Sequence, residues 1–131
     1  MSDAWVRRLR VWPERWAVCR LAADAVVPEW AMRHNALTVI ARTDAELSIV
    51  APESVMPGEG QIERGFRVLA LQGPIPFTTT GVIAAVAAPL ADAGISLFPI
   101  ATYDTDYVMV KDAVLDRALA TLRAHGWSIE L

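Results

Sequence analysis

Two carboxylates, Asp104 and Asp106, flank Thr105 in a short polar break between two apolar runs of the chain. Side chains this close can hold a cationic head group, an ammonium or a guanidinium, through charge-assisted hydrogen bonds. A Mg²⁺ or Ca²⁺ ion usually needs further oxygen ligands, and no third acidic residue is placed locally to supply one. The alternative is that both aspartates accept hydrogen bonds from backbone N–H groups of the turn. The pair predicts a contact for a cation-bearing ligand and no metal site.

Three threonines and a glycine, Thr78 to Gly81, stand directly before an apolar stretch with helical spacing. Free N–H groups and the positive dipole end of a helix that starts there suit a carboxylate. The segment lacks the lysine and the glycine spacing with which a P-loop holds phosphates. Taken alone, it is an ordinary helix cap by Thr79 or Thr80. Combined with the aspartate pair, it predicts a site whose two ends match a zwitterion, such as a free amino acid.

Groups suited to catalysis are few. His125 follows a helix end, where a cation is favourable, and His34 lies in a polar turn. Neither histidine has a serine or cysteine partner in a recognisable nucleophile motif. Cys19 lies within an apolar strand and is expected to be a buried, inert thiol. The residues therefore offer few candidates for catalysis, and we expect no cofactor.

Turn and cap signals divide the second half of the chain into six elements. We predict strands over 66–71, 95–102, 106–110 and 127–131, one helix from the Thr79 or Thr80 cap to Gly94, and one from an Asp112 cap to Gly126. In the second helix, the buried stripe is Leu115, Ala118, Leu119 and Leu122. Pro89 falls inside the first helix, where a bend is expected. The order βαββαβ predicts an α+β fold with a ferredoxin-like sheet. Its strand after the first helix is an edge, which tolerates Pro99.

The first half of the chain reads as mostly β structure. We predict strands over 6–12, 15–21, 37–42 and 47–51, a turn at Pro13–Glu14, and a helical remnant over 28–31 with Pro28 at its first position. A shift of 60 residues lays 37–50 on 97–110 with five of fourteen positions identical. This predicts a degenerate duplication with units at 1–60 and 61–131. The alternative is chance similarity between two β-hairpins.

Composition restricts the class of protein and of partner. The 131 residues are 54% hydrophobic with a net charge of −3, which is typical of a globular chain. Eleven arginines and one lysine against fifteen acidic residues leave no basic domain for nucleic acid or an anionic membrane. No apolar run reaches the roughly 20 residues that cross a bilayer, and no export signal is evident. With a single cysteine, we expect a cytoplasmic protein.

Several segments together resemble the ACT domain. The residues that carry the resemblance are 15–21, 43–53, 73–81, 80–97 and 101–107. The stretch from Gly81–Val82 to Gly94–Ile95 is similar to regulatory domains of aspartate kinases. Over nearly the whole chain, the sequence resembles small bacterial tandem-ACT proteins related to the cytosolic arginine sensor of animals.

The resemblance implies a non-catalytic regulatory module that binds an amino acid where two ACT units meet. Residues 1–60 would be a degenerate ACT-like unit and 61–131 an ACT domain. The carboxylate of the ligand would meet Thr79, Thr80, Gly81 and Val82, and its cationic end would meet Asp104, Thr105 and Asp106. A homodimer is expected, because small sheets with exposed edges often add a partner strand.

Three other functions fit this fold. An acylphosphatase-like hydrolase would need an arginine in the loop after the first strand, and residues 72–80 contain none. An RNA-binding domain would need stacking aromatics on the strand that carries Val108, Met109 and Val110. A structural or protein-binding module without a ligand remains the alternative to an amino acid sensor.

Overall fold

A computed structural model describes residues 5–131, which form seven strands and two α-helices. The strands are β1 Arg8–Leu21, β2 Val39–Arg42, β3 Leu47–Pro52, β4 Gln61–Leu71, β5 Phe98–Ala101, β6 Asp106–Lys111 and β7 Ser128–Glu130. The helices are α1 Val82–Asp92 and α2 Leu115–Ala124, and 3₁₀ turns occur at Glu29–Met32, Glu53–Val55 and Asp112–Val114. The order β4, α1, β5, β6, α2, β7 confirms the predicted ferredoxin-like βαββαβ arrangement.

The chain forms two compact units that do not coincide with the predicted halves. One unit is Glu14–Phe66, and the other combines the described residues up to Pro13 with Arg67–Leu131. Strands β1 and β4 are long enough to contribute residues to both units. The limits of a degenerate ACT-like unit at 1–60 and an ACT domain at 61–131 stay a prediction, while the compact units follow other boundaries.

In the discontinuous unit, the sheet runs in the order β7, β1, β4, β6, β5. Strand β5 is an edge, as the ferredoxin-like order predicts and as Pro99 within it tolerates, and it pairs antiparallel with β6. The N-terminal residues of β1 were not expected here: Arg8–Arg10 pair in parallel with Ser128–Glu130 of β7. The start of the chain therefore supplies a strand between the last and the first strand of the ferredoxin-like order.

The start of helix α1 differs from the prediction. Neither Thr79 nor Thr80 caps it: the cap position is Gly81, with φ 81° and ψ 3°, and no side chain bonds to the first turn. This left-handed conformation suits glycine, which has no Cβ to clash. The predicted end is confirmed, since Gly94 has φ 75° and the Ile95 N–H returns to the Leu90 carbonyl at 2.8 Å.

A tryptophan compensates for the proline inside α1. Pro89 has no N–H, so the carbonyl of Ala85 one turn earlier loses its helical donor. The indole Nε1 of Trp127 donates to that carbonyl at 3.1 Å. Trp127, a buried residue just before β7, thereby supplies the hydrogen bond that the Ala85 carbonyl lacks within the helix.

The start of helix α2 also differs from the prediction. Asp112 does not cap it: the cap position is Val114, and the Asp112 carboxylate instead accepts a hydrogen bond from Arg67 Nη1 at 3.0 Å. The two other guanidinium nitrogens of Arg67 donate to the Trp12 carbonyl. The predicted stripe of α2 is confirmed, because all four of its residues are buried.

The core of this unit joins both helices to the sheet. Leu9 and Val11 from β1 lie in it beside residues of α1, α2, β4 and β6. Leu9, Val86, Leu90, Val108 and Leu122 are at most 1% exposed. At the usual scale, each such side chain contributes about 1.5–3 kcal/mol on burial.

In the unit Glu14–Phe66, β1 pairs antiparallel with β3, and β3 pairs with β2. The turn predicted at Pro13–Glu14 is wrong, because β1 runs through it and the fixed φ of proline is compatible with extended backbone. Pro28 precedes the 3₁₀ turn Glu29–Met32 and is not its first residue. Cys19 is buried, as predicted.

None of the helices formed by residues 5–131 is both long enough and apolar enough to cross a bilayer.

Candidate functional site

The loop before α1 is attached to the turn between β5 and β6. The Ile75 N–H donates to the Asp104 carbonyl at 2.7 Å, and the Thr105 hydroxyl donates to the Leu71 carbonyl at 3.1 Å. Gly73 lies so close that a Cβ there would meet the Thr105 Cβ at 2.7 Å. The two segments that the sequence assigns to opposite ends of a ligand are therefore adjacent.

The turn is closed by its own hydrogen bonds. The Thr102 N–H and hydroxyl both donate to the Thr105 carbonyl, at 2.9 and 3.0 Å. The Ala101 backbone pairs with Asp106, the first residue of β6. These bonds fix the backbone positions from which Thr105 and Asp106 extend.

A cavity of about 310 Å³ lies between this loop and this turn. It is lined by Ile75, Pro76, Phe77, Thr79, Gly81, Val82, Ile83, Ala101, Thr102, Tyr103, Thr105 and Asp106. Five of the predicted site residues are among them: Thr79, Gly81, Val82, Thr105 and Asp106. Two are not, since Thr80 is exposed at the end of the loop and Asp104 lines a neighbouring cavity with Pro74 and Phe77.

Two polar groups of the cavity have no partner among residues 5–131. The Thr79 hydroxyl oxygen is buried and makes no hydrogen bond. The carboxylate of Asp106 is half-buried and forms no hydrogen bond or ion pair with any described residue. Burial raises the pKa of this carboxyl group. Buried polar groups are normally satisfied, so such groups in a concave site indicate room for a ligand group.

The N-terminus of α1 opens on the same cavity through Gly81 and Val82. No side chain caps the helix, so the first N–H groups remain available to an acceptor. Its dipole favours a negative charge at this end. The walls thus combine backbone donors on the loop side with a carboxylate on the turn side.

An exposed aromatic pair at this cavity was not predicted. Phe77 and Tyr103 are 73% and 80% exposed, and their rings meet edge to face with centroids 4.8 Å apart. Phe77 comes from the loop and Tyr103 from the turn. In the sequence, this pair could have been suspected because each of two turn-forming segments contains a large aromatic residue.

The other candidate groups stay outside the cavity. His125 is at the C-terminal cap of α2, as predicted, with Nδ1 2.9 Å from the Thr121 carbonyl. Burial raises the pKa of the Cys19 thiol, with a smaller opposing effect from Arg64. No group of three or more metal-binding side chains occurs in the part of the chain that the structure describes.

A larger cleft of about 840 Å³ runs beside α2 and holds Arg10, Arg67, Arg123, Asp116 and Glu130. Three of these five charged side chains are held in ion pairs, one of them with a residue outside the cleft. Arg10 pairs with Glu130 at 2.9 Å, and Arg67 pairs with Asp112 at 3.0 Å. The smaller cavity, with its unpaired carboxylate and hydroxyl, is the better candidate for a ligand site.

Comparisons with known families give two matches. Residues 61–124 match the family model of the ACT domain. Residues 14–59 match a second model, described as an N-terminal domain. The second match lies within the compact unit Glu14–Phe66. No curated protein matches the sequence.

Solved structures of similar fold include two small bacterial proteins. Atu0741 from Agrobacterium tumefaciens is 31% identical, with a TM-score of 0.88 over 96% of this chain and 93% of its own. A Vibrio cholerae protein of unknown function, VC0802, described as a possible transport protein, is 21% identical, with a TM-score of 0.68 over 90% of this chain and 88% of its own.

An allosteric enzyme also contains the fold. Aspartate kinase from Clostridium acetobutylicum superimposes with a TM-score of 0.63 at 11% identity, over 86% of this chain and 33% of its own. The likeness covers about a third of that enzyme. At this identity, it establishes a shared fold.

Proposed function

The chain belongs to the same family as Atu0741 from Agrobacterium tumefaciens, and its residues 61–124 match the ACT domain; from this premise we propose that it is a non-catalytic sensor that binds a free amino acid. ACT domains are regulatory, ligand-binding modules, and the fold also occurs within an allosteric aspartate kinase. The proposal places the amino acid in the cavity between the loop before α1 and the β5–β6 turn.

One observation carries the proposal: this cavity holds an unpaired carboxylate and an unpaired buried hydroxyl next to an uncapped helix N-terminus. The ammonium group of the ligand would pair with Asp106. Its carboxylate would accept hydrogen bonds from the N–H groups at Gly81 and Val82 and from the Thr79 hydroxyl. The ammonium and the carboxylate of the ligand would each pair with a protein group that has no partner in the free protein.

The remaining predicted residues have lesser roles in this proposal. Thr105 contributes by its contact with Leu71, which attaches the turn to the loop. Thr80 would supply backbone to the loop, and Asp104 would attract the ammonium without touching it. Sensing would consist of binding the amino acid, with no bond made or broken.

We also propose a homodimer of cytoplasmic, tandem ACT-like chains. Within its unit, β2 is an edge strand with an exposed Ile40, which leaves backbone groups for a second copy. Sedimentation of the purified chain would give the mass of two copies. A single-copy mass across micromolar concentrations would contradict this part.

A thermal-shift screen with the twenty amino acids tests the proposed function. A ligand at a hundred times its dissociation constant stabilises the fold by about 2.7 kcal/mol. For a chain of this size, that is a rise in Tm of roughly 10 °C. The matched controls are the amide of the best ligand, which lacks its carboxylate, and the corresponding 2-oxo acid, which lacks its ammonium.

We expect at least one amino acid to raise the Tm and both control compounds to fail. A screen in which no amino acid shifts the Tm at millimolar concentration would contradict the proposal. An equal rise in Tm with the amide or with the 2-oxo acid would show that the site does not require both the carboxylate and the ammonium of the ligand.

A further inference from the structure

The walls of the cavity are mostly apolar. Hydrocarbon side chains come from the loop, from the first turn of α1 and from the end of β5, namely Ile75, Pro76, Val82, Ile83 and Ala101. The polar side chains, by contrast, are few: three threonines, one aspartate and Tyr103 with its single hydroxyl. An apolar lining with a few placed polar groups is typical of a site that fixes one end of a ligand and buries the rest in hydrocarbon.

Asp106 is the only one of the twelve lining residues with a charged side chain at neutral pH. The sequence assigns two carboxylates to the cationic end of the ligand, but Asp104 is exposed and lines the neighbouring cavity. One carboxylate can neutralise one ammonium. A second charge on the ligand would lose water and gain no partner of opposite sign, which is unfavourable.

The aromatic pair extends this apolar surface to the rim. Phe77 and Tyr103 line the cavity from opposite segments, and their ring contact joins the loop to the turn. Both rings are mostly exposed in the free protein, so each retains apolar area that a ligand can cover. Aromatic side chains offer large contact area at low cost in conformational entropy.

We propose that this site takes neutral amino acids with an apolar side chain, and that Phe77 and Tyr103 form the wall on which that side chain packs. The inference rests on the proposed function and goes beyond it by naming the class of ligand and the two residues that select it. Cationic amino acids are excluded because the cavity offers them no second carboxylate.

Isothermal titration of the 131-residue chain with norleucine and with lysine tests the ligand class. The two compounds have the same chain length and differ in the terminal ammonium of lysine. We expect norleucine and leucine to bind at least tenfold more tightly than lysine, arginine or glutamate. Tighter binding of lysine or arginine would overturn the inference and leave the proposed function standing. Binding of no amino acid at all would overturn both.

The variant Phe77→Ala tests the wall. We expect its dissociation constant for leucine to rise about tenfold, which corresponds to about 1.4 kcal/mol, while that for glycine changes less than twofold. Tyr103→Ala should act in the same direction. The control is Met32→Ala, an exposed apolar residue that does not line the cavity. Phe77→Leu keeps an apolar group and should retain most of the affinity. This variant distinguishes loss of the packing surface from unfolding of the loop in Phe77→Ala.

Two results would show that the ring pair does not select the ligand. One is an unchanged affinity for leucine in both Phe77→Ala and Tyr103→Ala. The other is an equal loss of affinity for leucine and for glycine. If either variant instead changes the sedimentation mass at constant affinity, the rings serve an interface between chains and the inference fails.

Discussion

At the scale of single residues, two aspartates separated by one position have different environments. Asp104 is at the exposed tip of the turn, and only its backbone carbonyl takes part in the contact with the loop. Asp106 begins β6, is half-buried and lines the candidate site. Burial raises the pKa of the Asp106 carboxyl, because the charged form loses water and gains no partner.

The raised pKa of Asp106 predicts a pH dependence of stability. The native state holds this proton more firmly than the unfolded chain, whose aspartate has the ordinary value of 3.8. Below pH 3.8 the carboxyl is protonated in both states and does not lower the free energy of unfolding. As the pH rises from the ordinary pKa to the raised pKa of the native state, the free energy of unfolding decreases. Asp106→Asn removes this decrease and should be more stable than the native chain at neutral pH.

Urea unfolding at neutral pH and below the ordinary aspartate value measures this difference. Asp104→Asn is the matched control, and its exposed position predicts a change within about 0.5 kcal/mol at neutral pH. A neutral-pH stability of Asp106→Asn equal to or below that of the native chain would contradict the prediction.

The polar residues of the site were conspicuous in the sequence, whereas of its apolar side chains only Val82 was predicted, and that through the resemblance to ACT domains. Aspartates in a turn and threonines before a helix are conspicuous because those residue types perform chemistry. Phe77 and Tyr103 look like ordinary apolar residues, and their pairing depends on a contact between positions 26 apart in the chain. Periodicity within one element cannot reveal such a contact, and neither could it show that Asp104 and Asp106 differ in burial.

At the scale of elements, the site depends on how closely the loop approaches the turn. Gly73 has no room for a side chain, since a Cβ would meet the Thr105 Cβ at 2.7 Å and the Asp104 carbonyl oxygen at 3.1 Å. The nearer atom belongs to a short β-branched side chain with little freedom to move. Any larger residue must push the loop away from the turn.

We expect Gly73→Ala to destabilise the protein by about 1–3 kcal/mol and to weaken ligand binding. The matched control is Gly58→Ala, where nothing lies within 4 Å of the added Cβ. Thermal unfolding of both variants, followed by titration with the best ligand, measures the two effects. Equal stability of the two variants would show that the loop tolerates displacement.

The buried face of α2 and the ends of both helices were predictable, whereas their starts were not. Gly94 and Gly126 end α1 and α2 as expected because both adopt positive φ, which other residues avoid. The caps were assigned by residue type to Thr79 or Thr80 and to Asp112. Each of these side chains has another environment: Asp112 bonds to Arg67, and the Thr79 hydroxyl is buried without a partner.

At the scale of the whole molecule, the ACT-like sheet draws on both ends of the chain. Arg8–Arg10 pair with Ser128–Glu130, and Leu9 and Val11 lie in the core of the same unit. A chain that starts at residue 61 lacks this strand. Its last strand loses a neighbour, and its core loses two large side chains.

We therefore predict that residues 61–131 alone do not unfold cooperatively, whereas the full chain does. Circular dichroism during heating distinguishes the two. A cooperative transition of the fragment near the Tm of the full chain would show that residues 8–11 are dispensable. In that event, the predicted limits 1–60 and 61–131 would describe real folding units.

A point variant tests the same contribution in the intact chain. Leu9→Ala should cost about 2–4 kcal/mol, because Leu9 is 1% exposed. Leu131→Ala is the control, since that side chain is 85% exposed. Similar stabilities of the two variants would contradict the structural role of β1 in this unit.

This arrangement could not be obtained from the sequence, although the fold class could. The alternation of elements after Gly65 is local and predicts βαββαβ. The pairing of β1 with β7 joins positions about 120 apart, and nothing in either segment indicates its partner. Pro13 also suggested a turn at a position where β1 is in fact one continuous strand.

The most direct test of the account is isothermal titration of the best-shifting amino acid into the native protein, Asp106→Asn and Asp104→Asn. We expect micromolar to millimolar binding to the native chain, a loss of at least tenfold in affinity for Asp106→Asn, and a change below threefold for Asp104→Asn. Unchanged affinity in Asp106→Asn, in a variant that remains folded, would place the ligand elsewhere and contradict the account.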